Sequence, residues 1–344
     1  MASQVYGLVS AFPLEQFQGA KRAWSARLLH ASRPRIAYAA ATAAPEDNVV
    51  GVGIGEKISN GKRTGVAALK FFVERKFDEA ALPEDARLPK EIAGLPVDVD
   101  EVGRFHALQV AVTASTSVDP KTRLRPAQPG CSVGFREPND AFVMAGTFGA
   151  LVLDRKNQNK VSILSNSHVL ANEGTLPAGS PIYQPGILDD RNFAHNQIAT
   201  LTRFEPFVAS PAFNKVDAAI AALGDPAAAV ADVLQIGKPS GAAAAAVNAT
   251  VQKFGRTTSF TAGTITSVNT DVKVQYESGV FVFENQIIIV GLDGQPFSAA
   301  GDSGSLIVDR STFKALGLLF AGSSTHTIAN QIGDVLSVLN VDLA

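Results

Sequence analysis

The sequence predicts a mainly β protein with a small α+β region near its N-terminal end. Between residues 141 and 320, short apolar runs alternate with Gly, Asn, Asp and Pro, a spacing typical of barrels and sandwiches. Between residues 48 and 101, two strand-like runs flank Asn60-Gly61, a dipeptide that favours the positive φ angles of a hairpin turn. Of the 344 residues, 46% are hydrophobic, which is enough for about two domains with packed cores.

Changes in sequence texture divide the chain into four regions. The first carries a predicted helix over 14–30, because apolar residues recur there at three- and four-residue steps. The third is rich in Ser, Thr, Asp and Pro, as expected of a linker. The predicted regions are an N-terminal helical segment (1–47), a small α+β accessory domain (48–112), a linker (113–127) and a β-rich domain (128–344) that ends in a helix over 332–341.

Charge, cysteine content and hydropathy exclude several classes of function. Lys plus Arg number 30 and Asp plus Glu 32, so broad binding to nucleic acid, which needs a basic face, is not expected. The single cysteine, Cys131, leaves no intrachain disulfide, and five scattered histidines give no metal-ligand spacing. No run approaches the ~20 apolar residues of a membrane span. We expect a cytoplasmic protein with no metal, cofactor or membrane partner.

The sharpest motif is Gly301-Asp302-Ser303-Gly304-Ser305, which leads into a strand predicted over 305–308. A GDSG string occurs by chance in on the order of one chain of this length in a hundred. A tight turn before a strand also favours Gly, Asp and Ser. The motif alone therefore indicates either a nucleophilic serine or a plain turn.

Two further residues have the chemistry that a nucleophilic serine requires. His168 ends a predicted strand in a polar stretch, where its imidazole could take a serine proton; a loop histidine bonded to backbone groups is the alternative. Asp217 opens a small-residue apolar run, where a buried carboxylate needs a partner such as imidazole; a strand-end cap is the alternative. A competing pair, Asp189 and Asp190, lies 21 and 22 residues after His168 in a polar loop, and Asp217 is preferred.

Taken together, these residues have the order His168, Asp217, Ser303, which is the order of chymotrypsin and differs from that of subtilisin and the α/β-hydrolases. The motifs SNSHVL, VDAAIA and GDSGS that contain them resemble those of the trypsin/chymotrypsin-fold serine proteases over about residues 128–344. SNSHVL resembles the HtrA-type histidine motif, and KFGRTT, at 253–258, resembles the opening of the second barrel in bacterial members. The sequence pattern of this region most resembles that of bacterial trypsin-like peptidases related to the plant narrow-leaf protease.

The resemblance implies two six-stranded Greek-key β-barrels of the chymotrypsin type and a serine endopeptidase without a cofactor. It implies that Ser303 attacks the scissile carbonyl, that His168 transfers the proton and that Asp217 orients the imidazole. The backbone N–H groups of Gly301 and Ser303 would form the oxyanion hole, and Asp302 would anchor the loop. Because the chain has no disulfide and a long N-terminal region, activation by a freed N-terminal amine is not expected.

The specificity pocket departs from that of trypsin. Trypsin-type members carry an aspartate six residues before the nucleophile, where this chain has Phe297, so cleavage after Lys or Arg is not expected. The pocket wall is expected over 318–323, with Gly322 and Ser323 near the substrate. The expected P1 residue is small or medium-sized and apolar.

Two other functions stay open at this level: a catalytically silent peptide-binding scaffold and an esterase that uses the same site. The presence of all three triad residue types favours an active peptidase with a protein or peptide substrate. Residues 1–120 have three candidate roles, namely inhibition, recruitment and assembly. Packing or assembly, including a homo-oligomer, is preferred over inhibition.

Overall fold

The fold is that of a computed structural model, which describes residues 3–29, 48–78, 82, 84, 87–107, 118–137 and 144–344. The α-helices in these ranges are α1 (Leu14–Leu28), α2 (Ser167–Leu170), α3 (Phe193–Asn196) and α4 (Ile332–Leu339), and short 3₁₀ turns cover Arg155–Asn157, Pro226–Ala228 and Leu292–Gly294. None of the helices in the described ranges combines the length and the apolar composition that a membrane crossing requires.

In chain order, the strands fall into three groups. The N-terminal strands are β1 (Ser3–Val5), β2 (Leu8–Ser10), β3 (Val49–Ser59), β4 (Lys62–Val73), β5 (Glu91–Ile92), β6 (Leu95–Glu101) and β7 (His106–Ala107). The next set comprises β8 (Ser132–Phe135), β9 (Gly146–Thr147), β10 (Ala150–Asp154), β11 (Lys160–Ser165), β12 (Pro181–Tyr183), β13 (Gln197–Phe204) and β14 (Ala219–Leu223). The last comprises β15 (Thr250–Gly255), β16 (Ser259–Gln275), β17 (Val280–Gly291), β18 (Leu306–Asp309), β19 (Ala315–Gly322), β20 (His326–Gln331) and β21 (Val341–Leu343).

The first barrel is a curled sheet of eight strands in the order β21-β10-β11-β14-β13-β12-β8-β9. Residues such as Ile163 and Ile220 are fully buried because they pack in the apolar core that this sheet encloses. The last helix, α4, adds Val335 and Leu339 to the same core. The strand β21 pairs with β10 and therefore adds an edge strand to this sheet.

The second barrel is a closed ring of six strands. β15, β18, β19, β20, β17 and β16 pair in that order, and β16 pairs with β15 to complete the ring. Residues such as Ile265, Ile287 and Leu319 fill its interior. The predicted fold class is confirmed: the protein is mainly β, with two curled sheets of the chymotrypsin type and a small N-terminal region.

The strands of the predicted accessory domain belong to the sheet of the second barrel. β3 and β4 form the predicted hairpin, and Asn60 and Gly61 take φ of 51° and 71° in its turn. β3 pairs antiparallel with β16, with Gly55 opposite Ser267. A Cβ at Gly53 would come within 2.7 Å of Ser267 Oγ, so glycine is needed for this close approach. The described strands between residues 49 and 107 thus extend the sheet of the second barrel, while the four predicted regions remain predictions.

The helix α1 packs on the strands that extend the second barrel. Leu28 lies in a buried cluster with Leu69 and Phe71, and Trp24 meets the Phe71 ring edge-on at 5.3 Å. Lys21 is 6% exposed and pairs with Asp271 on β16 at 2.7 Å. The predicted helical segment is therefore attached to the β region by both apolar and ionic contacts.

Several predicted elements differ from the observed ones. The two strands predicted over 261–268 and 272–276 form the single strand β16. Its pairing is irregular near Thr270, where a bulge can bend a strand without ending it. The described part of the predicted linker, 118–127, packs on the first barrel, with the Leu124 N–H donating to Gln184 Oε1 at 3.0 Å. The start of the strand predicted over 141–154 and the C-terminal ends of the predicted helix 14–30 and accessory domain lie outside the described residues.

Candidate active site

Ser303 lies in the glycine-flanked loop that leads into β18. Gly301 and Gly304 have φ of +94° and +93°, values that favour glycine because a side chain would strain them. The loop is fixed against the first barrel, since the Thr147 N–H donates to the Ser303 carbonyl at 2.7 Å. The Ser303 hydroxyl donates to the Phe320 carbonyl on β19 at 3.3 Å. The serine is completely buried in this conformation.

His168 and Asp217 meet because their strands are neighbours. β11 and β14 run antiparallel with Ser165 opposite Ala219, so the residues just after β11 face those just before β14. Asp217 Oδ2 lies 2.5 Å from His168 Nδ1. Asp217 Oδ1 accepts the Ser167 N–H at 2.7 Å and the His168 N–H at 3.3 Å. Both of its oxygens are therefore occupied, which compensates for the burial of the charge.

Tyr276, directly after β16, is a third partner of the carboxylate that the sequence analysis did not identify. Its hydroxyl donates to Asp217 Oδ2 at 2.9 Å, the oxygen that also contacts His168. Its ring packs edge-on against the imidazole, with centroids 6.0 Å apart. Burial, and then the charge of Asp217, raises the pKa of the Tyr276 hydroxyl well above 10. Tyr276 therefore stays a hydrogen-bond donor at neutral and mildly alkaline pH.

The other ring nitrogen of His168 is unoccupied. His168 is 1% exposed, and its Nε2 is buried and makes no hydrogen bond within the described ranges. The bond between this nitrogen and the nucleophile that acyl transfer requires is therefore absent from this conformation.

Asp302 is held by an internal cation. Its carboxylate accepts the N–H groups of Thr257 and Ala299 at 2.9 and 3.0 Å, and Lys253 Nζ lies 3.3 Å away. Asp302 and Lys253 are both completely buried. Burial lowers the pKa of Lys253, and the nearby carboxylate opposes this change. The chain thus carries its own counter-ion for the loop aspartate, next to the nucleophile.

The competing aspartates are engaged elsewhere. Asp189 forms a buried pair with Arg256, whose Nε is 2.7 Å from Asp189 Oδ2. Asp190 accepts a hydrogen bond from Asn196 Nδ2 at 2.8 Å. Of the three candidate carboxylates, Asp217 is the one that the structure places beside His168.

The structure shows what surrounds the predicted pocket residues, and their role in substrate binding remains a prediction. The Phe297 ring packs in the core of the second barrel, while its carbonyl accepts the Thr261 hydroxyl at 2.7 Å. Ser323 forms a tight turn in which its N–H donates to the His326 carbonyl at 2.8 Å. Gly322 ends β19 and pairs with His106 of β7. The backbone direction, which the sequence did not reveal, turns Phe297 inward.

The described ranges contain no group of three or more His, Cys, Asp or Glu side chains placed to hold a metal ion. The Cys131 thiol is fully buried, and burial raises its pKa to about 12. Such a thiol is a poor nucleophile at neutral pH because little thiolate is present. The Cys131 thiol is therefore not a candidate nucleophile.

Residues 191–333 match the family model of the Nal1 C-terminal domain. The matched span includes Asp217 and Ser303 and begins after His168. It covers less than half of the chain, so it is a similarity of one region. None of the curated proteins compared with the chain is significantly similar to it.

Several solved serine protease structures are similar to part of the chain. They include a glutamic acid-specific serine protease that uses a histidine triad in substrate binding, at 19% identity and a TM-score of 0.44, over 63% of this chain and 100% of that one. Thermobifida fusca protease A has 17% identity and a TM-score of 0.42, over 63% of this chain and 99% of that one. Nocardiopsis protease has 16% identity and a TM-score of 0.43, over 63% of this chain and 99% of that one.

Replacement of Tyr276 by phenylalanine is expected to lower kcat about tenfold, because Asp217 loses one donor of the kind worth about 1.5–3 kcal/mol. Steady-state kinetics of the variant and the native protein measure the loss, and an unchanged kcat would show that Tyr276 does not position the pair.

The same variant tests the raised pKa of Tyr276. Above about pH 10 the unfolded chain releases the phenolic proton before the native protein does. The native state then binds more protons, so its free energy of unfolding falls as the pH rises through this range. Urea unfolding at several alkaline pH values should show a smaller fall for Tyr276→Phe.

Proposed function

We propose that this chain is a serine endopeptidase of the trypsin-like type, with Ser303 as nucleophile, His168 as general base and acid, and Asp217 as the residue that orients the imidazole. The observation that carries the proposal is the buried contact of 2.5 Å between His168 Nδ1 and Asp217 Oδ2. It fixes the imidazole so that the opposite nitrogen, Nε2, is the one left for the nucleophile.

The reaction proceeds through an acyl-enzyme. The Ser303 hydroxyl turns from the Phe320 carbonyl toward Nε2, gives up its proton and attacks the scissile carbonyl. The imidazolium that forms is stabilised by Asp217 and returns the proton to the leaving amine. Water then repeats the sequence on the ester and releases the second product.

The oxyanion hole is assigned to the backbone N–H groups of Gly301 and Ser303. Gly301 has the positive φ that such a loop needs, and the Thr147 hydroxyl donates to its carbonyl at 3.0 Å. One donor of this kind is worth about 2.7–4 kcal/mol of transition-state stabilisation. The buried contact between Asp302 and Lys253 supports the loop that presents both donors.

The substrate is expected to be a peptide with a small or medium-sized apolar P1 residue. The sequence region expected to line the pocket offers Gly322 and Ser323 and no charged side chain, and Phe297 contributes only core packing. The HtrA-like histidine motif and the relation to narrow-leaf-type peptidases are part of this proposal. A cytoplasmic location and an assembly of several copies through the N-terminal region belong to it as well.

Labelling with a fluorophosphonate probe tests the assembled site. The native protein should be labelled at Ser303, and both Ser303→Ala and His168→Ala should lose labelling, because phosphonylation needs the nucleophile and its base. Ser180→Ala is the matched control and should be labelled like the native protein. Ser180 lies in a loop, where its hydroxyl donates to the Pro177 carbonyl.

A well-folded native protein that is not labelled would contradict the proposal and favour the peptide-binding scaffold. Comparison of a peptide library with simple activated esters then separates the two enzymatic alternatives. Hydrolysis of esters without cleavage of any peptide would identify an esterase.

A further inference from the structure

The strand β7 pairs with β19 on the side next to the nucleophile. β18 covers this edge of β19 only from Ala315 to Leu318. Beyond that point β7 takes the same edge, with Ala107 opposite Ala321 and His106 opposite Gly322. Without β7, the backbone of Ala321 and Gly322 would be an open edge, which is the kind of surface to which extended peptides add as a strand.

The register directs β7 toward Ser303. Phe320, whose carbonyl accepts the Ser303 hydroxyl, directly precedes Ala321 on β19. Because the pairing is antiparallel, β7 advances toward Phe320 as the chain proceeds from His106 to Ala107. At roughly 3.3 Å per residue, Ala107 is one strand position from the level of the nucleophile.

Side chains and backbone hold β7 in place. Phe105 is fully buried, and its carbonyl accepts the Gln275 N–H at 3.0 Å. Ala107 is 7% exposed and lies in an apolar cluster that also contains Tyr276 and Phe320. The docked strand therefore pairs with the β19 edge and belongs to the same apolar cluster as the tyrosine that bonds Asp217.

We propose that β7 is an internal competitor: this segment of the chain occupies the strand position that a peptide substrate must take on β19, and it restrains the peptidase until it is displaced. The proposal rests on the proposed peptidase function. The complete burial of Ser303 and the 1% exposure of His168 agree with a cleft that is closed while β7 is docked.

A competitor of this kind has a defined kinetic signature. Docking reduces the fraction of molecules that can bind substrate, so the apparent KM rises by the inverse of that fraction. Once a substrate has displaced β7, chemistry proceeds as usual, and kcat is unchanged. A change in KM at constant kcat distinguishes this role from a general effect on folding.

A reversible crosslink tests the proposal on the full chain. Ala107 and Ala321 are directly opposite, at a separation typical of cross-strand pairs that a disulfide can join. In Ala107→Cys/Ala321→Cys, oxidation should lower kcat/KM for peptides at least tenfold, and reduction should restore it. Natural Cys131 is fully buried and should not interfere. Equal activity of the crosslinked and reduced forms would overturn the proposal.

Release of β7 gives the complementary result. Ala107→Asp places a carboxylate in the apolar cluster and disfavours docking, so KM should fall about tenfold with kcat unchanged. Ala107→Ser, a small neutral replacement, should keep the native KM. A peptide with the sequence of residues 102–107 should inhibit Ala107→Asp competitively. If Ala107→Asp is folded by thermal unfolding yet keeps the native KM, β7 is not a competitor.

Fluorophosphonate labelling of Ser303 distinguishes a failure of the competitor role of β7 from a failure of the proposed peptidase function. If the reduced double-cysteine variant is labelled and cleaves peptides, but oxidation changes nothing, only the competitor role fails. If neither the native protein nor the released variant Ala107→Asp is labelled, the peptidase proposal fails and the competitor role fails with it.

Discussion

Replacement of Asp217 by asparagine is expected to lower kcat for peptide hydrolysis on the order of 10⁴-fold while the fold is retained. The amide can still accept the Ser167 N–H through its oxygen, but its NH₂ group would face His168 Nδ1. The imidazole would then carry its proton on the wrong nitrogen and could not accept one from Ser303. Single-turnover kinetics with an apolar-P1 peptide would measure the loss.

Asp190→Asn is the matched control for this experiment. Asp190 is one of the two competing carboxylates in the sequence. In the structure its side chain bonds Asn196, whereas Asp217 lies beside His168. Asp190→Asn should keep the native kcat. Equal losses in the two variants would show that Asp217 does not have the proposed role.

Replacement of Lys253 by methionine is expected to have the largest effect on stability. It leaves the completely buried Asp302 carboxylate without its cation, a change that typically costs about 3–5 kcal/mol. Because Asp302 is adjacent to Ser303, we also expect peptidase activity to fall through disorder of the loop to which the proposal assigns the oxyanion hole. Urea unfolding and the fluorophosphonate labelling rate measure the two effects.

A double-mutant cycle gives the control for the buried pair. Asp302→Asn/Lys253→Met removes both charges and should be less destabilised than the sum of the single variants, because neither charge remains buried alone. Arg155→Met, which breaks an exposed pair with Asp342, should change stability little because solvent screens that pair. If Lys253→Met were as mild as Arg155→Met, the buried pair would not stabilise the loop.

The sequence predicted the principal residues of the site because their signals are local. His168, Asp217 and Ser303 each stand in a short motif at a strand end, and their order along the chain indicated one geometry. The structure brings His168 and Asp217 into contact, and their roles remain part of the proposed function. The strand pattern likewise predicted the hairpin of β3 and β4, whose turn is set by Asn60 and Gly61.

The partners of these residues were not predictable, because they come from distant parts of the chain. Tyr276 is 59 residues from Asp217, and Lys253 is 49 residues from Asp302, with no local pattern to link them. β7 has only two residues and no periodicity to detect. The surroundings of Phe297 were not predictable for a related reason: its position relative to Ser303 was known, but the direction of its side chain depends on the barrel.

The pairing of β3 with β16 also has a consequence for biosynthesis. Gly55 and its neighbour Ser267 are separated by more than two hundred residues. During translation at roughly 5–20 residues per second, the hairpin therefore leaves the ribosome at least about ten seconds before its partner strand exists. In that interval its apolar edge is unprotected and can pair with other nascent chains. We therefore expect the yield of native protein to depend on chaperones that bind nascent chains, and to improve at lower expression rates.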